Sequence, residues 1–283
     1  ATDITEAAYQ ALSASVPTDK LNEFVRTAAK LSKAGFSTTA ESVDLLTTAI
    51  NAYGMKTEDA TKLSDKLMTV QNRGKTTIAQ LAGEMGNVIP TASALHVNID
   101  NLSAGYITLT RQGINTAAAT TGLRSMLNEL SKTGTTVDET LRKKTGKSFS
   151  ELMKSGKSLG DVLEILKGSV KGNDNEFKNL FGNSKAGSTA LALMKDGAKG
   201  FNSEIGKVAK STGTTNKAIK DMKTPYSEAK KAMNDLKNTS VRFGQSLVST
   251  LGPDIKKAAS FVKTLTDRYN KLNSHQKTTV ARA

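Results

Sequence analysis

The stretch "TTAINAYGMKTEDATKLSD" at residues 47–65 ends one helix and begins another. Apolar residues run at helical spacing up to Tyr53, Gly54 supplies a helix stop, and Thr57 opens the next helix. Forty-two residues downstream, "TASALHVNIDNLSAGYITL" (91–109) lays out the same plan. Ala52 corresponds to Ala94, Met55 to Val97, Asp59 to Asn101 and Ala60 to Leu102, with His96 standing where the first copy has Gly54. A repeated helix–kink–helix unit folds short helices back on one another, so the stretch points to an all-α fold.

The flanking sequence extends that pattern. Asp3 with Glu6 has the spacing of a capping box and opens a helix over roughly 3–15. Pro17 suits the first turn of the next helix, whose line Leu21, Val25, Ala28 and Leu31 runs to a stop at Gly35. Val43, Leu46, Ile50 and Tyr53 follow, then Leu63, Leu67 and Val70 up to Gly74. Thr77 with Gln80 forms another box and leads Ile78, Leu81, Met85 and Val88 to Pro90. Leu102, Tyr106 and Leu109 end at Gly113, and Leu123, Met126, Leu127 and Leu130 end at Gly134. No convincing period-2 strand appears, and residues 1–134 read as a compact helical domain. Residues 135–213 break into shorter Gly- and Lys-rich pieces, with Ser148–Glu151 capping one and Leu159, Val162, Leu163 and Leu166 lining another. They read as a smaller, looser helical region.

From residue 214 the period changes. Ile219, Met222, Tyr226, Ala229, Met233, Leu236, Ser240, Phe243 and Leu247 are spaced 3-4-3-4-3-4-3-4, and Ile255, Ala258, Val262, Leu265, Tyr269 and Leu272 continue as 3-4-3-4-3. Such a stripe marks a coiled coil or a long bundle, with helices starting at Thr224-Pro225 and Pro253. The same spacing fits two ordinary amphipathic helices packed on their own domain. Ala and Ser in the seam weaken it, so full order calls for a partner chain or a surrounding wall.

Composition limits the chemistry. The 283 residues are 37% hydrophobic and 5% aromatic, with no Trp and no Cys, which excludes disulfides and thiolate ligands. No apolar run reaches the roughly 18 residues of a membrane span, so no membrane contact is expected. The chain starts at Ala1 without Met and ends at "TTVARA", as an excerpt of a longer protein would. Residues 1–130 carry 11 Lys and Arg against 12 Asp and Glu, whereas residues 131–283 carry 29 against 14. That surplus fits either a polyanion partner or a solvated lysine-rich helix surface. Only 8 of the 40 basic residues are Arg, and aromatic–basic interleaving is absent, which argues against base reading.

Candidate catalytic groups are few. "TGKS" (145–148) and "SGKS" (155–158) look like the end of a phosphate-binding loop, but the required earlier Gly is Leu141 or Glu151. Both read as Gly stops followed by Ser caps. His96 and His275 lie in different segments, so no zinc constellation forms, and His96 reads as a turn residue. Glu58-Asp59 and Asp138-Glu139 sit in helix first turns, where the helix dipole accounts for them. The match "NTS" (238–240) falls on a helix. No catalytic, cofactor or metal residues are assigned.

The segments "AAKLSKAGFSTTAESVDLLTTAINAYGMKTEDATKLSDKL" (28–67) and "GKTTIAQLAGEMGNVIPTASALHVNIDNLSAGYITLTRQGINTAAATTGLRSML" (74–127) resemble the core region of phage tail tape measure proteins. "LFGNSKAGSTALALMKDGAKGFN" (180–202) and "LGPDIKKAASFVKTLTDRYNKLNSHQKTTV" (251–280) extend the resemblance over nearly the whole chain, and residues 135–170 match least. The resemblance implies a non-enzymatic structural protein of the phage tail lumen, made in the host cytoplasm. Such proteins set tail length during assembly and leave ahead of the DNA at infection. It implies partners among copies of the chain and among tail tube, tail tip and tail assembly chaperone proteins, with non-specific contact to phage DNA. The strongly hydrophobic segments and cell-wall hydrolase motifs of some longer members are missing here. The association stripe is then Ile219, Met222, Tyr226, Ala229, Met233, Leu236, Phe243, Leu247, Ile255, Val262, Leu265, Tyr269 and Leu272. Helical rise of about 1.5 Å per residue turns such a stripe into a ruler, while the kinked residues 1–134 form a compact head. The rival reading is a basic helical nucleic-acid-binding protein.

Overall fold

The computed structural model describes residues 2–222 and the positions 260, 263, 264, 266, 267 and 271. Among the described residues every regular element is helical. The α-helices are α1 (Thr2–Ser13), α2 (Leu21–Gly35), α3 (Thr39–Tyr53), α4 (Ala60–Arg73), α5 (Ile78–Glu84), α6 (Ile89–Ala94), α7 (Ile99–Arg111) and α8 (Thr116–Ser131). They continue as α9 (Thr136–Thr145), α10 (Phe149–Lys154), α11 (Leu159–Ser169), α12 (Asp174–Asn179), α13 (Ser184–Leu193), α14 (Gly197–Ala209) and α15 (Thr214–Asp221). The chain divides into two units, residues 1–222 and 223–283. In the second, Ser260, Lys263, Thr264 and Asp267 are helical and exposed. The expected starts at Pro225 and Pro253, the "NTS" match and His275 lie outside the described residues.

One loop design recurs through the first unit. Phe36, His96, Gly113, Gly146, Gly156 and Lys171 all have left-handed backbone, with φ between 54° and 90°. Two residues after each stands a side-chain N-cap: Thr38, Asn98, Asn115, Ser148, Ser158 and Asn173. The left-handed residue lets the last carbonyls bond backward, and the cap accepts the first free N–H groups of the next helix, so both ends are satisfied within a few residues. The two kinks of the sequence repeat share the left-handed stop, but only the second has a side-chain cap, since Lys56 makes no capping bond where Asn98 does. Met55 N–H bonds Ile50 C=O at 2.9 Å after Gly54 at φ 60°, and Val97 N–H bonds Ala92 C=O at 2.9 Å after His96 at φ 60°.

The two kinks also bond each other. Tyr53 Oη of the first donates to the Val97 carbonyl of the second at 3.1 Å, and Ser93 Oγ of the second donates to the Ala52 carbonyl of the first at 2.6 Å. Burial, helped by Asp100, pushes the Tyr53 phenol far above its ordinary value, so it stays a neutral donor. The repeat therefore builds two corners that cross-brace rather than two independent hairpins.

Helix α7 is the axis of the unit. Leu102, Tyr106 and Leu109 mark one apolar face, but Asn101 through Thr110 are all buried, because α4, α8, α13 and α14 cover the helix from several sides. Its polar side chains are satisfied internally in part: Tyr106 and Thr120 share a 2.6 Å hydrogen bond, and Thr110 Oγ1 donates to the Tyr106 carbonyl at 2.7 Å. Residues 135–213 pack onto this axis through α14 on α7 and α13 on α8, and one hydrophobic cluster runs from Ala7 to Val208.

Several local expectations shift by a few residues. Gly35 is not the stop of α2: it lies inside the helix, and Phe36 takes the left-handed position although 69% exposed. A Cβ on Gly35 would lie 2.2 Å from Ile78 Cγ1, so the glycine is spent on close approach of α5. Asp3 lies within the first turn of α1 and accepts from Thr39 Oγ1 at 2.6 Å, a tertiary contact rather than a cap. Pro17 sits in the turn before α2, Thr57 opens a 3-10 turn ahead of α4, and Pro90 lies in the first turn of α6 rather than after a helix end.

Candidate functional site

Charges brought together from distant parts of the chain mark the first candidate. Glu204, on the inner face of α14, is only 3% exposed. Arg73, the last residue of α4, donates from Nε to Oε2 at 2.7 Å and from Nη2 to Oε1 at 3.0 Å. Arg111, the last residue of α7, donates to Oε1 at 3.1 Å, and Lys207, one turn along α14, donates to the same oxygen at 3.0 Å. Burial pushes the Glu204 carboxyl up, but the bonds from Arg73, Lys207 and Arg111 outweigh it and hold the group at about 2. A carboxylate so held is neither a base nor a nucleophile near neutrality. Its work is mechanical: it neutralises Arg73 and Arg111 and so ties the C-terminal ends of α4 and α7 to α14.

Asp65 acts similarly at the start of α15. Gly213, the N-cap of α15, offers no side chain, and Asp65 on α4 accepts Gly213 N–H at 2.7 Å and Thr215 N–H at 2.9 Å. Asn101 serves α11 in the same way, accepting Leu159 N–H at 2.7 Å. A solvent-open groove of about 740 Å³ lies beside these contacts, lined by Phe36, Arg73, Lys207, Lys210, Lys217 and Met222 among others. Its Arg73 and Lys207 are already engaged by Glu204.

The residues singled out in the sequence fall as follows. Gly146 and Gly156 are left-handed stops, and Ser148 and Ser158 form capping boxes with Glu151 and Asp161. His96 is the exposed left-handed residue of its kink. Asp59 pairs with Lys62 at 3.0 Å, and Asp138 takes Arg142 at 3.0 Å. Of the association stripe, Ile219 and Met222 are partly buried against the core of the first unit. Tyr226, Ala229, Met233, Leu236, Phe243, Leu247, Ile255, Val262, Leu265, Tyr269 and Leu272 lie outside the described residues. Among the described residues no group of three or more His, Asp or Glu could hold a metal ion, and no helix is long and apolar enough to cross a membrane. Sequence reading missed Glu204 and its cations, whose separations of 131 and 93 residues leave no local signal.

The profile of the phage-related minor tail protein family matches residues 1–184, from α1 into the start of α13. The chain belongs to that family. It is also 32% identical over 269 residues to a probable tape measure protein of Clostridium phage phiCD119, an alignment covering 92% of this chain and 28% of that protein. The chain thus spans about a quarter of the length of this relative of the family. No solved structure matches the chain. The family match takes in Arg73 and Arg111 but ends before Glu204, whereas the longer alignment covers nearly the whole chain.

Proposed function

We propose that this minor tail protein chain is a portion of a tape measure protein that occupies the lumen of a phage tail, sets tail length during assembly and leaves before the DNA. The observation that carries the reading is the alignment over 92% of the chain to a probable tape measure protein. Residues 1–222 form a compact head on this reading, and length is set by extended helix beyond it. The stripe from Tyr226 to Leu272 pairs copies of the chain with one another and with tail tube, tail tip and assembly chaperone proteins, and assembly takes place in the host cytoplasm. The chain is non-enzymatic on this reading, which fits the role of Glu204, the most perturbed carboxylate among the described residues, as a clamp.

The test is an in-frame deletion of 28 residues (223–250) in a phage carrying this protein, with tail lengths measured by electron microscopy. A helical ruler shortens the tail by about 42 Å at 1.5 Å per residue. Tails of unchanged length would remove the length-setting role from this segment. Concentration-dependent light scattering of the purified chain reads self-association separately, and a strict monomer at high concentration would count against the stripe as an oligomer contact.

A further inference from the structure

Phe36 is not explained by the packing of the fold. It holds the left-handed position after α2 at φ 55°, and it is exposed. Glycine adopts that backbone without steric cost and fills the position at Gly54, Gly113, Gly146 and Gly156. Among the described left-handed residues Phe36 carries the one large apolar side chain. Folding alone favours glycine there, so the ring has another use. It lines the solvent-open groove of about 740 Å³, whose walls come from the ends of α2, α4 and α14 and from α15. Ala34, Ala218 and Met222 extend the apolar strip, Ala34 buried and the other two partly buried.

The rim of that strip is positive. Lys210 and Lys217 line the groove, are exposed and make no ion pair among the described residues. Arg73 and Lys207 share Glu204 with Arg111, so one carboxylate answers three cations and two positive charges remain beside the groove. Asp221 is the one carboxylate among the described lining residues. An aromatic and apolar strip inside a charged rim has the anatomy of a protein-binding surface. The basic stretch 142–157 lacks such a strip, because Phe149, Leu152 and Met153 are buried. The smaller groove of about 360 Å³ beside Leu191 has lysines but no aromatic among its described lining residues. The volume beside Phe36 takes the facing side chains of one or two turns of a helix about 10–12 Å across. Charge selects the occupant. Residues 223–283 carry 12 Lys and Arg against 4 Asp and Glu, so that segment, from this chain or a second copy, meets charge of its own sign.

We infer that this groove docks an acidic amphipathic helix of a partner protein, with an apolar side chain against Phe36 and Met222 and carboxylates on Lys210 and Lys217. This adds a surface and a partner chemistry to the tail-structural reading and stands without the length-setting role. The experiment replaces Phe36 by the photo-crosslinker p-benzoylphenylalanine in the full chain, expressed from a phage carrying this protein, and maps the joined peptide by mass spectrometry. The expected product is a crosslink to a different protein, in a segment with apolar residues at helical spacing and carboxylates within a turn of the joined residue. That peptide, synthesised, is then titrated against the full chain by fluorescence anisotropy. Phe36→Gly weakens binding by about 30-fold or more, the scale of an aromatic hot spot, while its urea midpoint does not fall. K210E/K217E weakens binding about tenfold, and K143E/K144E leaves it within about twofold, with circular dichroism confirming that both are folded. No crosslink from position 36, or crosslinks only to this chain or its copies, overturns the inference. So does a joined segment without carboxylates, or a Phe36→Gly or K210E/K217E chain that binds as tightly as the native one.

Discussion

Replacing Glu204 by Gln removes one charge and little volume, and its consequence follows from the clamp geometry. The carboxyl is held at about 2 against an ordinary value of 4.5, a difference of some 2.5 pKa units. At about 1.36 kcal/mol per unit, the folded state gains roughly 3 kcal/mol from ionised Glu204. The carboxylate is almost fully buried, so solvent screening takes little from this figure on its side, while Arg111 and Lys207 are each 45% exposed and recover some hydration when unpaired. Because the folded value is lowered, the stabilisation is complete above pH 4.5 and is lost as the pH falls through 4.5 toward 2. Urea unfolding of the native chain and Glu204→Gln at pH 7, 5, 4, 3 and 2 measures the difference between them. The gap at pH 7 should be about 3 kcal/mol, of the size expected on breaking a buried ion pair from one side. It should close by most of that amount by pH 2. Other carboxylates lowered in the fold, such as Asp138 and Glu151, titrate equally in both proteins and cancel. A gap that stays constant from pH 7 to pH 2 would show that the three cations do not hold Glu204 ionised, and the clamp argument would fall.

Three further substitutions probe other parts of the fold. Gly35→Ala drives a methyl to within 2.2 Å of the fully buried Ile78 and should cost about 1–3 kcal/mol, with Ile78→Ala in the same chain recovering part of the loss in a double-mutant cycle. His96→Gly relieves a left-handed residue that has no special need for its imidazole and should raise stability by about 1 kcal/mol, read as a higher urea midpoint. Asp65→Asn weakens the charge-assisted bonds to Gly213 and Thr215 by about 1.5–3 kcal/mol, and hydrogen exchange should rise first at the amides of α15; uniform loss of protection across the unit would contradict the local role.

What could be read from residues was what is decided within a few residues. The boxes Thr77–Gln80 and Ser148–Glu151 and the stops at Gly54, Gly113, Gly134 and Gly146 are present. Thr38–Glu41 carries the same signal, and Ser158, legible as a cap, completes a full box with Asp161. The shared role of Gly54 and His96 followed from alignment of the two copies. That the copies brace each other through Tyr53 and Ser93 did not, because two hydrogen bonds between similar corners leave no trace in either corner's sequence. Gly35 shows the limit well: a glycine near a helix end reads as a stop, and only the position of Ile78 shows that it makes room.

By itself the amino-acid sequence determined helix type, helix spacing and most helix ends, since capping and left-handed stops depend on neighbours three to five residues away. Family membership could be recognised in the same string. Tertiary structure alone decided which faces meet water. Helix α7 is covered from several sides, Glu204 leaves the surface to be neutralised by Arg73 and Arg111, and the five lysines of residues 142–157 remain outside with no ion pair among the described residues. Charged and small polar residues look alike in sequence whether solvated or buried, because their cost or gain depends on a partner whose chain position is unconstrained.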